Sequence, residues 1–390
     1  MRVLAPPLEP RRARRHRGTN VRETFDVQAI AHPMNASVWL QSWDAQGIHR
    51  TGTEGDTAGA DWLAREAASM GAKVSIETFS LSRIDPVSCW LETKDGRIEG
   101  IPVFDSSPTG PEGIAGHIGV MPLSPQAVYT PDYRAMRHAS DTAALVIVCQ
   151  GTEPGLGLLN AEQFRTPHGC PAIHVAVAPD AEPLRVISNY RRTEAAARNV
   201  VVTIPGRARA RPPVVVMTPR SSWWQSTSER GGGLVCWLET LRSLIETPPS
   251  CDVVMTANSG HELGHLGLDA FLERRSGWDH PGGAIWVHYG ANIGARGGKL
   301  SIQSADGPLR EAMRLALTEA GQPPDTVAPE TLVPSGETRD IHRMGGRYVT
   351  LVGSNPLFHL PQDRWPRAVD LPAIERAAAG AAAMVRALTR

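Results

Sequence analysis

The sequence predicts an α/β protein whose mixed β-sheet is covered by helices on both faces, with a small, mostly β insert. From residue 199 onward, short apolar, β-branched runs alternate with segments of helical periodicity. Strands that are apolar almost throughout are typical of sheets buried on both faces, and their alternation with helices indicates an α/β domain. Between residues 89 and 189, short β-like pieces are instead separated by Gly, Pro and Ser turns, which favours the β insert.

The individual elements follow from the period of the apolar residues. Residues 59–72 carry apolar side chains at helical spacing, and residues 73–81 alternate as a strand does. The predicted strands of the second half are 199–206, 212–218, 253–260, 284–290 and 347–354. The predicted helices are about 233–246, 268–275, 309–321 and 373–390.

These patterns divide the chain into three parts. Residues 1–22 are basic and predict a short disordered tail. The α/β domain is expected to consist of residues 23–88 and 195–390, split by the β insert at 89–194. A chain of 390 residues is long enough for this organisation and for a sizeable core.

Composition limits the classes of partner. The 40 Lys and Arg residues balance the 40 Asp and Glu residues, which argues against general electrostatic binding to nucleic acid or to an anionic membrane. No apolar run approaches the roughly 18–20 residues of a membrane-spanning helix. The basic N-terminus lacks the apolar stretch of a secretory signal, and the five cysteines form no CxxC pair. We therefore expect a cytoplasmic protein with reduced thiols; homo-oligomerisation is left open.

Four loops beyond the predicted strand ends are rich in polar residues. They are 219–233, 258–267, the segment beginning at His288, and 354–363. In open α/β sheets, ligands bind at the loops beyond the carboxyl ends of the strands. These loops would bring together Glu229, His261, Glu262, His265, His288 and His359. Imidazoles and carboxylates together are the ligand types of Zn²⁺ or a similar metal.

The segment from His261 to His265 matches the HExxH motif of zinc proteases, in which both histidines lie on one continuous helix. Here the motif directly follows a predicted strand, contains Gly264 and is followed by Gly267. Each glycine costs about 1 kcal/mol in a helix interior. The longer form of the motif also fails, because Phe271 stands where its third His is required. The HExxH interpretation is therefore not favoured.

Another similarity covers roughly residues 45–390. The segment 49–79 (HRTGTEGDTAGADWLAREAASMGAKVSIETF) resembles the opening of the dizinc aminopeptidases, the family of the glutamate carboxypeptidase II-like enzymes and glutaminyl cyclases. The β insert resembles that family's protease-associated domain, and residues 197–206 (ARNVVVTIPG) resemble the strand that re-enters the catalytic domain. The resemblance implies an aminopeptidase-like fold and zinc-dependent chemistry on amide bonds.

The resemblance also implies a partly altered ligand set. The family's first ligand His and a neighbouring Asp fall on Pro219 and Ser221, so one of the two metal sites is damaged. Its bridging Asp falls on Glu229, and its Glu-Glu pair of base and ligand falls on His261 and Glu262.

The remaining positions complete one site only. The Asp of the damaged site falls on His288, and the C-terminal ligand His with its following Asp falls on His359 and Asp363. The resemblance therefore implies one divalent ion, Zn²⁺ or alternatively Mn²⁺, held by Glu229, Glu262 and His359. His288 would be a fourth ligand or would stabilise an oxyanion.

The function expected from this set is hydrolysis of an amide or peptide-like bond in a small substrate. The metal would activate a water molecule, and His261 would replace the usual Glu as general base. Two alternatives stay open. One is a catalytically inactive binding protein, in which Glu229 forms a structural ion pair with Arg230 or Arg220. The other is a metal-independent hydrolase that uses Ser221 or Ser222 as nucleophile, with His261 as base.

Four residues of the first loop are expected to contact the substrate. Arg220 and Arg230 could hold a carboxylate, since arginine binds this group through paired hydrogen bonds. Trp223 and Trp224 could line the pocket, with packing against the insert as the alternative.

Overall fold

A computed structural model describes residues 35–125, 130–208 and 211–390. The tail expected at 1–22 lies outside these residues. The helices are α1 (Ala36–Asp44), α2 (Glu54–Ser69), α3 (Pro131–Arg137), α4 (Thr227–Glu246), α5 (Leu266–Glu273), α6 (Gly307–Glu319), α7 (Thr338–Arg343) and α8 (Leu371–Leu388). The strands are β1 (Val74–Thr93), β2 (Gly96–Pro102), β3 (Ile118–Leu123), β4 (Ala144–Cys149), β5 (Ala172–Val175), β6 (Pro183–Ile204), β7 (Val214–Pro219), β8 (Val253–Asn258), β9 (Ile285–Tyr289), β10 (Leu300–Gln303), β11 (Thr326–Val327) and β12 (Arg347–Gly353).

The strands that the structure describes form one mixed sheet in the order β11-β10-β12-β9-β7-β8-β6-β1-β2-β5-β4-β3. Strands β8, β7, β9 and β12 are parallel neighbours, while β6 and β10 join them antiparallel. Every residue of β7 and β8 is buried, as their apolar sequences predicted. The prediction of a mixed sheet flanked by helices is confirmed.

Two helical layers cover the sheet. Helices α1, α2, α4, α6 and α8 contribute to the largest apolar cluster on one face. Helices α5 and α7 pack against the other face, where Phe271 and Ile341 contact Trp286 and Tyr348 in a second cluster. Among the described residues, no helix is long and apolar enough to cross a membrane.

A long antiparallel ribbon carries the outer strands. Strands β1 and β6 pair from Val74 opposite Val202 to Thr93 opposite Pro183, with a register shift between Pro86 and Ser88. The boundaries expected at residues 89 and 194 therefore fall inside continuous strands. Strands β2 to β5 extend the sheet from this ribbon and enclose apolar clusters of their own.

Helix α4 begins at Thr227, six residues before the predicted start at residue 233. The helix includes a run of three glycines. Neighbouring elements approach the helix too closely there to leave room for a larger side chain. A Cβ atom on Gly231 would lie 2.3 Å from Leu40 Cδ2, and one on Gly232 would lie 1.9 Å from the Ile293 carbonyl oxygen. The early start places Glu229 and Arg230 in the first turn of α4, close to the end of β7.

Candidate functional site

The polar loops converge at one edge of the sheet, as expected. The segment after β7 contacts the end of β8, where the Arg220 amide donates to the Asn258 carbonyl (2.7 Å). A short 3₁₀ helix (His261–Leu263) follows β8, and α4 follows the β7 loop. The Asn292 amide, beyond β9, donates to the Glu229 carbonyl (2.8 Å). Two clusters of side chains lie at this edge.

The first cluster is an ion-pair centre around Arg230, Glu229 and Glu262. Arg230 Nη2 lies 2.8 Å from Glu229 Oε1 and 2.6 Å from Glu262 Oε1. The three side chains are 0–2% exposed. Arg230 Nε also donates to the Ser221 carbonyl oxygen (2.6 Å), which fixes the orientation of the guanidinium. The pairing of Glu229 with Arg230, left open by the sequence, is therefore present.

His359 completes this centre. Its Nδ1 donates to the Leu158 carbonyl oxygen (2.7 Å), and its Nε2 lies 3.3 Å from Glu229 Oε1. Burial alone would raise the pKa of Glu229, but the charges of Arg230 and His359 outweigh it and lower this pKa to about 2. Glu229 is therefore a carboxylate at neutral pH.

Asp363 binds backbone amides next to the ion-pair centre. Its carboxyl oxygens accept the amides of Ser228 (2.7 Å) and Glu229 (2.9 Å) at the start of α4. Burial nevertheless raises the pKa of Asp363 to about 7, with the nearby charge of Glu229 acting in the same direction.

The hydroxyl groups of Ser221 and Ser222 donate hydrogen bonds to groups other than the His261 ring. Ser221 Oγ donates to Glu262 Oε2 (2.7 Å) and accepts the amides of Gly260 (2.9 Å) and His261 (3.2 Å). Ser222 Oγ donates to the Trp224 carbonyl oxygen (2.7 Å). Both serines are fully buried. Within the described part of the chain neither hydroxyl bonds the His261 ring, so the geometry does not provide the expected serine–histidine pair.

The expected metal site fails a test of fit. Glu229, Glu262 and His359 do lie together, but the Arg230 guanidinium already contacts both carboxylates. His288, the expected fourth ligand, instead faces Glu337. Across residues 35–125, 130–208 and 211–390, no group of three or more His, Cys, Asp or Glu side chains is arranged to hold a metal ion. As arranged here, the ligand set of the sequence prediction does not fit a bound Zn²⁺ or Mn²⁺.

The second cluster joins two histidines to a carboxylate that the sequence analysis missed. Glu337 Oε2 lies 3.4 Å from His288 Nε2 and 3.7 Å from His261 Nδ1, and Glu337 Oε1 accepts a hydrogen bond from Asn258 Nδ2 (3.3 Å). Glu337 is fully buried, and His288 and His261 are 1% and 7% exposed. Glu337 directly precedes the six-residue helix α7, in a Pro-Ser-Gly-Glu turn away from the predicted strand ends.

Burial and the neighbouring histidines act on Glu337 in opposite directions. Burial opposes its ionisation, but the nearby rings of His261 and His288 outweigh burial and hold the pKa of Glu337 far below its usual range. Burial lowers the pKa of His261, and the positive charge of Arg230 lowers it further, against the opposing effect of Glu337. His261 is therefore a neutral imidazole near pH 7, beside an ionised carboxylate.

A cavity of about 380 Å³ opens beside this cluster. Its walls include His261, His288 and His265, and His265 Nδ1 pairs with Asp340 Oδ2 at 2.5 Å. Arg339 and Glu162 also line it and form an ion pair of 2.7 Å. The cavity therefore presents three imidazoles to a ligand of small-molecule size.

The residues expected to contact substrate do not line this cavity. Arg220 is buried and pairs with Asp56 (2.8 Å). Trp223 packs against Phe104 with ring centroids 4.6 Å apart. Trp224 donates from Nε1 to the His359 carbonyl oxygen (2.9 Å). Like Arg230 in the ion-pair centre, these residues contact other parts of the protein and are not part of the cavity wall.

Solved structures with the same fold include zinc enzymes. The zinc aminopeptidase BSAP from Bacillus subtilis matches with a TM-score of 0.73 and 15% identity, covering 92% of this chain and 96% of that one. The peptidase M28 precursor from Shewanella amazonensis SB2B matches with a TM-score of 0.70 and 14% identity, over 91% and 93%. The aminopeptidase from Aneurinibacillus sp. strain AM-1 matches with a TM-score of 0.69 and 11% identity, over 90% and 93%.

No protein-family model matches the chain, and no curated protein matches it. At these identities the structural matches establish the aminopeptidase-like fold alone. The chemistry of this chain must be argued from its own residues.

Proposed function

We propose that the protein hydrolyses an amide or peptide-like bond of a small substrate bound in the cavity, with His261 as general base. The observation that carries the proposal is the position of His261, which lines the cavity while its Nδ1 lies 3.7 Å from a carboxylate oxygen of the buried Glu337. A carboxylate that orients the imidazole of a base and stabilises its protonated form is the arrangement used in hydrolytic triads. The aminopeptidases that share this fold support a peptide-like substrate.

The reaction follows from the orientation of the imidazole. The mechanism assigns the proton of the His261 ring to Nδ1, which faces Glu337, and thereby makes Nε2 the proton acceptor. It takes a proton from a water molecule whose oxygen adds to the substrate carbonyl carbon. The C–N bond of the resulting tetrahedral species then breaks, and the imidazolium returns the proton to the leaving amine.

No step of this mechanism passes through a metal ion. The single-metal mechanism requires Glu229, Glu262 and His359 to bind the ion, whereas Arg230 contacts both of these carboxylates. The metal-free serine mechanism is not adopted either, because the Ser221 hydroxyl is hydrogen-bonded to Glu262.

A second candidate function is binding without catalysis. The observation in its favour is the same ion-pair centre, since a member of this fold that has exchanged its metal for an arginine could keep the cavity and lose the chemistry. Under this interpretation, the cavity binds a small peptide-like ligand reversibly and His261 and His288 act as hydrogen-bonding groups.

The test is a panel of small amide substrates, such as aminoacyl and dipeptidyl anilides, assayed near pH 7.5. We expect His261→Gln to lower kcat/KM by about 100-fold or more, the usual contribution of general-base catalysis, and Glu337→Gln to lower it by about 10-fold or more. His280→Gln is the matched control, because His280 is exposed and its ring pairs with its neighbour Asp279, away from the cavity wall. Equal rates for wild type and His261→Gln would contradict the mechanism, and saturable ligand binding without turnover would support the second candidate.

A further inference from the structure

The ion-pair centre holds a cation where a charged side chain is costly. The Arg230 side chain is fully buried, and Glu229 and Glu262 are its only described ion-pair partners. A buried charge is tolerated when opposite charges and hydrogen bonds compensate it, and removing one partner of such a pair typically destabilises a protein strongly. Removing either Arg230 or one of the carboxylates would therefore leave an uncompensated charge in the interior of the protein.

Two carboxylate oxygens converge on one cation, and an imidazole contacts the first of them. Glu229 Oε1 lies 2.8 Å from Arg230 Nη2 and 3.3 Å from His359 Nε2, while Glu262 Oε1 approaches the same Nη2 to 2.6 Å. Hydrogen bonds from outside hold two of these side chains: the Leu158 carbonyl holds His359, and the Ser221 hydroxyl holds Glu262. Two carboxylates and an imidazole are also the types of ligand that bind Zn²⁺.

We propose that the Arg230 guanidinium substitutes for a divalent cation, and that Glu229, Glu262 and His359 form a latent metal site that becomes available when Arg230 is removed. The guanidinium neutralises one of the two carboxylate charges, whereas a divalent ion would neutralise both. The inference concerns metal binding only. It does not rest on the proposed function, and its failure would leave the hydrolysis assay unaffected.

The test compares metal uptake by Arg230→Asn and wild type. Both proteins, without affinity tags, are treated with chelator, incubated with Zn²⁺, desalted and analysed by mass spectrometry. We expect about one additional Zn²⁺ per chain in Arg230→Asn, together with a melting temperature that Zn²⁺ raises by several degrees. Wild type should show neither effect.

Two controls locate the ion. The double variant Arg230→Asn/Glu262→Gln should lose the additional Zn²⁺, because it lacks a ligand. Arg242→Asn should bind no more Zn²⁺ than wild type, since Arg242 pairs with Glu239 and Glu246 further along α4 and not with the proposed ligands. Folded Arg230→Asn protein that takes up no more Zn²⁺ than wild type would overturn the proposal.

A measurement on wild type keeps the proposal testable if Arg230→Asn does not fold. Wild-type protein incubated with Zn²⁺ and its Glu229→Gln variant should have equal zinc contents, because Arg230 occupies the site. Zinc that wild type retains and Glu229→Gln loses would show that the site accepts a metal beside Arg230, and would overturn the proposal.

Discussion

The buried histidines of this protein differ in what faces their ring nitrogens. His49 stacks on Trp43 with ring centroids 3.5 Å apart, and its nitrogens face the carbonyl oxygens of Gly55 and Trp43. Burial lowers the pKa of His49 to about 3, and the charge of Arg220 acts in the same direction. His261 and His288 instead face Glu337, so that a carboxylate holds their orientation. The first arrangement suits packing, and the second suits proton transfer.

His49 makes the stability of the fold depend on pH. Its pKa is about 3 in the folded chain and about 6.5 in the unfolded chain. Between these values the unfolded chain binds a proton that the folded chain does not, so stability falls as the pH decreases. The contribution of one such group is at most about 1.4 kcal/mol per pH unit. We expect His49→Gln to show a shallower loss between pH 6.5 and 5, measured by urea unfolding.

The exposed His280 supplies the control for this experiment. His280→Gln should keep the wild-type slope, because His280 is half exposed and pairs with Asp279. If His49→Gln and wild type lose stability in parallel as the pH falls, His49 is not the group responsible.

At the scale of single residues, the sequence predicted some of the site. The loops after β7, β8 and β12 suggested a common site for Glu229, Glu262 and His359, and in the structure Arg230 links the two carboxylates while His359 contacts Glu229. The position of Arg230 among them could not be derived, because the direction of a side chain depends on the helix start. Glu337 was not predicted as a site residue, because its turn carries neither strand periodicity nor a recognisable motif.

At the scale of elements, helix α4 shows how packing overrides propensity. Glycine costs about 1 kcal/mol in a helix interior relative to alanine, which agrees with a predicted helix that begins only at the last of the three consecutive glycines. Because α1 and the segment after β9 approach α4 closely, there is no room for larger side chains at Gly231 and Gly232. Packing therefore outweighs the low helix propensity of glycine. The first turn of α4, with Glu229 and Arg230, is thereby brought against the end of β7.

Replacing Gly232 tests this packing. Its Cβ would lie 1.9 Å from the Ile293 carbonyl oxygen, a backbone atom that cannot move independently. We expect Gly232→Ala to lower the free energy of unfolding by about 1–3 kcal/mol, the usual cost of overpacking. Gly307→Ala in α6 is the control, because its Cβ would meet only the flexible end of Glu330 at 3.3 Å. Equal stability of Gly232→Ala and the control in urea unfolding would contradict the account.

At the scale of the whole molecule, the β1–β6 ribbon connects distant parts of the chain to the site. The Leu158 carbonyl holds His359, and Asn160 and Glu162 line the cavity. The individual strands and helices were largely predictable, because their periodicity is local. Which segment of residues 89–194 reaches the cavity was not predictable, because it depends on the course of two strands of 20 and 22 residues.

The Arg339–Glu162 ion pair tests this connection. It spans 2.7 Å with side chains 23% and 26% exposed, so it should contribute no more than about 1 kcal/mol to stability. On the proposed substrates we expect Arg339→Gln to raise KM several-fold with little change in kcat, because Arg339 lines the cavity and pairs with Glu162 rather than with Glu337. Arg310→Gln is the control, since Arg310 forms a similar pair with Glu330 (2.7 Å) but does not line the cavity. A loss of kcat without a change in KM would contradict this placement.

The most direct test of the central claim is the turnover of an amide substrate before and after complete removal of metal. The claim is that His261, facing the Glu337 carboxylate, performs the proton transfers while Arg230 supplies the buried cation. It predicts that chelator-treated, metal-free protein keeps its full activity, and that added Zn²⁺ does not increase it. Activity that disappears with the chelator and returns with stoichiometric Zn²⁺ would contradict the account.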